Sequence, residues 1–273
     1  MSLPPSTHEL IARAHRVASR FHVRTRKAVA DLPGNPGKVE VERFGPVWAT
    51  RCDLPDAPQW MQRVAPLTPA DIDALPDVLR WFGALRPEVE TPPLPDHDRL
   101  AVALARCGAV QTGFIDLLRG PIDPSTRDAA SAAPDVDVSP VSRDDAMLFA
   151  CTLLHGHVET FHDHEAEGLA SFVGGDGLHC YLARIDGAPA AAAMLAVDDG
   201  LAYLANASTL PAFRSRGCHA ALLAARLHDA VLLECEMVIA LADVASSSHR
   251  NMERAGLQTL ATVAAWTFPD EDR

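Results

Sequence analysis

Hydrophobic and polar positions change their period along the chain, and the changes mark out its elements. From about residue 134 to 270 the pattern is legible throughout. VDVSPV reads as a strand, and residues 142–156 and 163–173 read as helices separated by the His-rich HGHVETFHDHE. LHCYLARIDGAPAAAAMLAVDDGLAYLANASTL predicts three strands joined by tight turns at Asp186-Gly187 and Asp199-Gly200. A helix over about 217–234 follows, then the strand MVIALADV, a helix over 247–255 and the strand LQTLATVAAWTF. The first half reads more faintly. It offers the strand-like GPVWATRC, the helical PADIDALPDVLRWFGAL and the strand PEVET. The N-terminal MSLPPSTHELIARAHRVASRF is a polar-to-amphipathic helix pattern without the unbroken apolar run of a signal peptide. Residues 119–141 are rich in Pro, Ser, Ala and Asp and read as a linker.

One junction in this pattern carries chemistry. The β-prone LAYLANASTL runs into Pro211-Ala212-Phe213-Arg214-Ser215-Arg216-Gly217, and an Ala/Leu helix begins directly afterwards. A strand that stops at such a turn aims free backbone N–H groups at one point, to which the helix adds its own unpaired N–H groups and the positive end of its dipole. The natural occupant is a phosphate. Arg214 and Arg216 add positive charge where a diphosphate would lie, and Gly217 lets the backbone come close. The turn is neither a G-x-x-x-x-G-K-[ST] loop nor a G-x-G-x-x-G fingerprint.

Length and charge limit the alternatives. A chain of 273 residues holds one large or two small domains, and 48% hydrophobic content supplies proper cores. A formal net charge of −12 argues against nucleic acid and anionic membrane surfaces as partners, while leaving the local Arg214/Arg216 patch able to hold an anionic cofactor. No apolar run reaches the ~20 residues needed to cross a bilayer. The six cysteines have no C-x-x-C spacing and read as reduced thiols of a cytoplasmic protein. Cys218 lies at the helix start, where either a thiolate is favoured or a small residue simply fills space. The cluster His155, His157, Glu159, His162, His164, Glu165 and Glu167 invites a metal reading, but H-E-x-x-H is absent and no metal is expected. A polar loop facing a substrate, with Glu159 holding a cationic acceptor, and a solvated helix junction are the other readings.

The stretch from Thr209 to Leu223 resembles motif A of the GCN5-related N-acetyltransferases, [Q/R]-x-x-G-x-[G/A], with Arg214 and Gly217 at the first two fixed positions. His219 stands where that family has Gly or Ala. Ser248-His249-Arg250-Asn251-Met252-Glu253-Arg254-Ala255-Gly256-Leu257 resembles motif B, and the order β-α-α-β-β-β-α-β-α-β of the second half is the order of that family. The resemblance implies an α/β fold with a mixed sheet and an acetyl transfer from acetyl-CoA to a primary amine. It implies that strand 201–210 splays from strand 237–243 to leave a slot for the pantetheine arm. Ser208, Thr209 and Leu210 would border that arm. Ser208 and Asn206 read equally as inward-facing strand residues. The amides of Arg216, Gly217, Cys218, His219 and Ala220, with Arg214 and Ser215 beside them, would hold the diphosphate. Asn251 would contact the arm or a backbone carbonyl, and His249 would be exposed. The family's usual carboxylate and tyrosine positions fall on Ala205 and Met252. Asp243 is therefore a candidate to take the amine proton and Ser248 to protonate sulfur, each with the alternative of a plain strand-end or helix-cap role.

LARCGAVQTGFIDLLRGP (104–121) echoes MERAGLQTLATVAAWTFP (252–269) at an offset of 256 − 108 = 148 residues. The echo suggests a tandem pair: a degenerate first domain at 1–125, a linker at 126–137 and an acetyltransferase domain at 138–273. The first half's counterpart of the phosphate turn, VAPLTPADID, lacks glycine and carries acids, so it would repel a pyrophosphate. The expected protein is a monomer or homodimer. A CoA-binding sensor or scaffold without transfer activity is the alternative.

Overall fold

A computed structural model describes residues 6–55, 57, 59–122 and 135–269. In chain order the first half gives α1 (Thr7–Ala30), β1 (Val39–Phe44), β2 (Val47–Cys52), β3 (Arg63–Ala65), α2 (Leu75–Phe82), β4 (Glu88–Thr91), α3 (His97–Arg106) and β5 (Val110–Gly120). The second half gives β6 (Asp137–Pro140), α4 (Ala146–His155), α5 (Asp163–Ala170), β7 (Leu178–Ile185), β8 (Ala188–Asp198), β9 (Leu201–Tyr203), β10 (Ala207–Thr209), α6 (Cys218–Leu232), β11 (Met237–Asp243), α7 (Ser247–Arg254) and β12 (Gln258–Thr267). Packing sorts these into two compact units. The first holds residues up to 117 with 242–244 and everything from 259; the second holds 118–241 and 245–258. Most of the proposed linker, 126–134, lies outside the described residues.

In the first unit the sheet order is β1-β2-β3-β4-β12-β5. β4 pairs antiparallel with β12, Thr91 opposite Ala264, so the last strand of the chain is an inner strand here. Alternation along β2 sends Val47 and Ala49 into a core with Leu75, Val78 and Phe82 of α2 and Leu100 and Leu104 of α3. Trp48 and Thr50 face the other way, onto Ser19 and His22 of α1. α1 starts at a capping box: Ser6 Oγ accepts from the Glu9 amide, and the Ser6 amide donates to Glu9 Oε2. The predicted helix PADIDALPDVLRWFGAL is split: residues Pro69–Ala74 form a 3-10 turn and α2 begins only at Leu75. Pro76, in the first turn of α2, has no N–H to continue a helix from upstream. Arg63 Nη2 meets Glu90 Oε1 at 2.5 Å inside this unit. Burial alone would raise the Glu90 carboxyl, but Arg63 and His15 outweigh it and hold the group well below the ordinary carboxylate range.

In the second unit the sheet order is β11-β9-β8-β7-β6, with β10 paired to β8 off that path. β6, β7, β8 and β9 are successively antiparallel, and β9 runs parallel to β11, Leu201 opposite Met237. Asp186 and Gly187 have φ of 52° and 78°, and Asp199 and Gly200 of 50° and 70°. Two successive left-handed residues make the tight hairpins expected there. Ala190–Ala193 of β8 are all 0% exposed, and their lack of bulk lets α4 and α6 pack on that strand. The echo at offset 148 holds in the backbone: α3 and α7 each end two residues before a left-handed glycine, Gly108 at φ 87° and Gly256 at φ 89°, and a strand follows.

Candidate active site

The site of the second unit begins where its sheet divides. β9 stays with β11 through Tyr203 and Ile239, and the Leu204 amide still donates to Ile239 O at 2.9 Å. Beyond that the chain turns to β8 alone, and β10 pairs only there, Ala207 opposite Ala193 and Thr209 opposite Ala191. A slot therefore opens between the two directions, as expected for strand 201–210 against strand 237–243. The break is a bulge. The Met194 amide donates to both Ala205 O at 3.2 Å and Asn206 O at 2.9 Å, so two residues oppose one, and Asn206 sits at φ +28°.

Strand geometry decides which β10 groups face the slot. The Leu210 amide donates to Ala190 O at 2.9 Å and Asn206 O accepts from Met194, so the even-numbered positions turn their backbone toward β8. Ala207 and Thr209 turn theirs away, toward the slot. Of the residues expected beside the arm, Thr209 turns its backbone to the slot and Leu210 turns its amide to β8; Ala207 faces the slot as Thr209 does. Ser208 is 6% exposed, and its hydroxyl donates to Leu153 O at 2.7 Å. It ties β10 to α4 and is not a slot residue. Gly156, at the end of α4, is crowded into the same junction: a Cβ there would lie 2.2 Å from Ser208 Oγ.

The turn after β10 supports the cradle. Ser215 at φ 63° and Gly217 at φ 85° bend the chain into α6, whose first intrahelical amide is that of Ala221, donating to Gly217 O at 3.0 Å. The amides of Cys218, His219 and Ala220 have no acceptor within the helix by its geometry. Arg214, Ser215 and Arg216 are exposed beside them. Arg214 reaches back to Thr209 O at 3.4 Å and Gly156 O at 3.3 Å, and Arg216 lies over the Phe213 ring at 5.7 Å. Cys218 is buried, its thiol pushed up by desolvation, so it serves as a filler and not as a thiolate.

His219 turns its ring toward α7. Nδ1 lies 3.4 Å from Asn251 Nδ2, and burial, with Arg226 as a second cause, lowers the imidazole to about 4. The ring is therefore neutral at pH 7. Asn251 spends its side chain on His219 and on Arg254, whose Nη1 donates to Asn251 Oδ1 at 2.8 Å. α7 is capped by Ser246, which accepts from the His249 amide at 3.0 Å; Ser248 is a half-buried first-turn residue. His249, expected to be exposed, is 8% exposed because it packs on the inner side of this short helix beside Met252. Asp243 is exposed at the end of β11 and groups with the first unit. Ala205 and Met252 are both buried and apolar.

The His-rich segment is an exposed junction between α4 and α5. His155 packs edge-on against Phe161, His162 stacks on His164, and Glu159 is exposed. Among the described residues no three His, Cys, Asp or Glu side chains gather as a metal site. One polar group was not anticipated. Arg226 of α6 is 0% exposed, and Tyr181 of β7, also buried, donates to Asp229 Oδ2 at 2.7 Å beside it. The available signal was a single arginine inside the apolar run ALLAARL.

This architecture is the fold of the GCN5-related N-acetyltransferases. An acetyltransferase of that kind from Kribbella flavida superposes over 90% of this chain and 96% of its own with a TM-score of 0.59 at 20% identity. One from Sphaerobacter thermophilus covers 100% of this chain and 99% of its own, with a TM-score of 0.57 at 11% identity. A tandem protein of the same fold from the clavulanic acid biosynthesis pathway covers 99% of both chains, with a TM-score of 0.56 at 14% identity. No protein-family model and no curated protein matches the sequence.

Proposed function

We propose that the second unit binds acetyl-CoA and transfers its acetyl group to a primary amine. The observation that carries this reading is the junction of two features: the chain leaves β11 after Leu204 and continues as β10 on β8 alone, and the turn that follows delivers the bare amides of Cys218, His219 and Ala220. Acetyl-CoA, when bound, supplies an acyl group activated as a thioester. The α6 amides and Arg216 hold the diphosphate by hydrogen bonds and charge. Ala207 and Thr209 extend their backbone groups to the amides of the arm. Glu159 is the proposed holder of a cationic acceptor and Ser248 the proposed donor to sulfur.

The test is calorimetric titration of acetyl-CoA and CoA into the wild type and into Arg214→Ala/Gly217→Glu. Micromolar binding that the double variant loses supports the cradle, and a folded wild type that binds neither ligand overturns it. A screen of amines, read by release of the CoA thiol, then follows. A second reading, an acyl-CoA sensor without transfer, is favoured by buried Ala205 and Met252, which carry no acid or base where the resemblance would put one. Tight binding with no thiol release for any amine class would select it.

A further inference from the structure

Arg226 carries a charge into the core of the second unit. It is 0% exposed, and a buried guanidinium loses solvation that carbonyl contacts return only in part. Nε donates to Leu222 O at 3.1 Å, one turn back in α6. Nη1 donates to Met194 O at 3.2 Å and to Ala205 O at 3.4 Å. Nη2 is buried without a hydrogen-bond partner. The nearby carboxylate, Asp229, is engaged by the Tyr181 hydroxyl. Desolvation lowers the guanidinium to about 10, so it stays charged at neutral pH. A methionine would fill the same space at no electrostatic cost. The charge therefore earns its place through the carbonyls it touches.

Those carbonyls sit at the vertex of the slot. Ala205 O accepts from both Arg226 and the Met194 amide, so it is held toward α6 and β8. In a trans peptide the C=O of one residue and the N–H of the next point in opposite directions. The Asn206 N–H is consequently aimed away from β8, to the side on which β10 has parted from β11. Asn206 pays for this orientation with φ +28°, a region that asparagine tolerates better than most residues.

We propose that Arg226 is a positioning residue: by pinning the Ala205–Asn206 peptide it presents the Asn206 N–H to the slot as the hydrogen-bond donor for the thioester carbonyl oxygen. The role rests on the acyl-CoA reading above. The guanidinium also polarises the peptide it holds, and so strengthens the donor at the far end of that peptide. Arg226 touches no substrate atom and acts only through the backbone.

Arg226→Met and Arg226→Lys test this, with two readouts. Amide hydrogen exchange at Asn206, measured without ligand, should slow several-fold in Arg226→Met, because the N–H loses the polarising cation on its own peptide and becomes less acidic, while the α6 core amides keep their protection. Thiol release from acetyl-CoA should fall about a hundredfold in kcat with affinity for CoA nearly unchanged, and Arg226→Lys should recover part of both losses. An Asn206 amide that exchanges at the wild-type rate in Arg226→Met overturns the proposal. Should Arg226→Met fail to fold, Arg226→Gln decides by the same comparison, because its shorter side chain keeps a polar end but no charge. A wild type that binds no acyl-CoA defeats the proposed function alone, since the exchange measurement still tests Arg226.

Discussion

His219 shows how one residue can look wrong in sequence and fit in space. A histidine at a glycine-or-alanine position departs from the motif, yet its ring is turned toward Asn251, and the proposed cradle uses only its amide. The burial that makes this possible has a pH signature. The folded imidazole is lowered from 6.5 to about 4, so between those values the unfolded chain binds the extra proton and the folded chain does not. Stability should therefore fall as pH drops from about 6.5 to about 4 and level off below. A shift of this size corresponds to about 3 kcal/mol at most. Urea unfolding of His219→Gln should lack this part of the slope; an unchanged slope would place the ring in solvent. The thiol next door makes a second test. Cys218 is buried with a raised pKa, so alkylation at pH 7 should be slow in the native protein and at least about tenfold faster in urea. Neither outcome is legible from the residue types alone, because both depend on which way a side chain leaves the first turn of α6.

Elements were more legible than side chains. The Asp-Gly pairs predicted both hairpins of β7, β8 and β9, since only a left-handed pair closes a two-residue turn in the right twist. The Ala/Leu run predicted α6, and Arg214 with Gly217 marked its start. What escaped was the break between β9 and β10. LAYLANASTL reads as one apolar strand, whereas the bulge at Ala205 and Asn206 is imposed by the doubled acceptance of the Met194 amide and by Arg226, neither of them local in sequence. The packing of α4 on β10 is similarly non-local. Gly156 has ordinary helical angles, φ −73° and ψ −20°, so its necessity comes from its neighbours, chiefly the Ser208 side chain and then the Thr209 backbone nitrogen, 3.1 Å from where a Cβ would lie. Gly156→Ala should cost about 1–3 kcal/mol by overpacking. Chemical denaturation of Gly156→Ala/Ser208→Gly should recover most of that loss; if the single variant is neutral, the junction is loose.

At the scale of the whole molecule, the linear division into halves does not describe how the chain is packed. The echo between residues 104–121 and 252–269 correctly paired two helix-glycine-strand segments, but sequence gave no hint that β12 pairs with β4. Strands carry their partners in register and edge, which a single sequence does not display. A chain ending at Gln258 should accordingly lose the protection of β4 and of the α2/α3 core, although it lacks nothing before that point. Hydrogen exchange read peptide by peptide would detect this. Retained protection around Thr91 and Leu104 would mean that β4 can do without the strand opposite it.

The position of β12 also bears on how the protein is made. Chains emerge from the ribosome N-terminus first, at roughly 5–20 residues per second. The first unit cannot acquire its inner strand until residue 267 has left the exit tunnel, by which time all of residues 118–241 have been synthesised. During that interval of ~10 s or more β4 presents an open edge, the kind of surface on which chaperones act and misassembly begins. The half of the chain that is translated first is thus the half that is finished last.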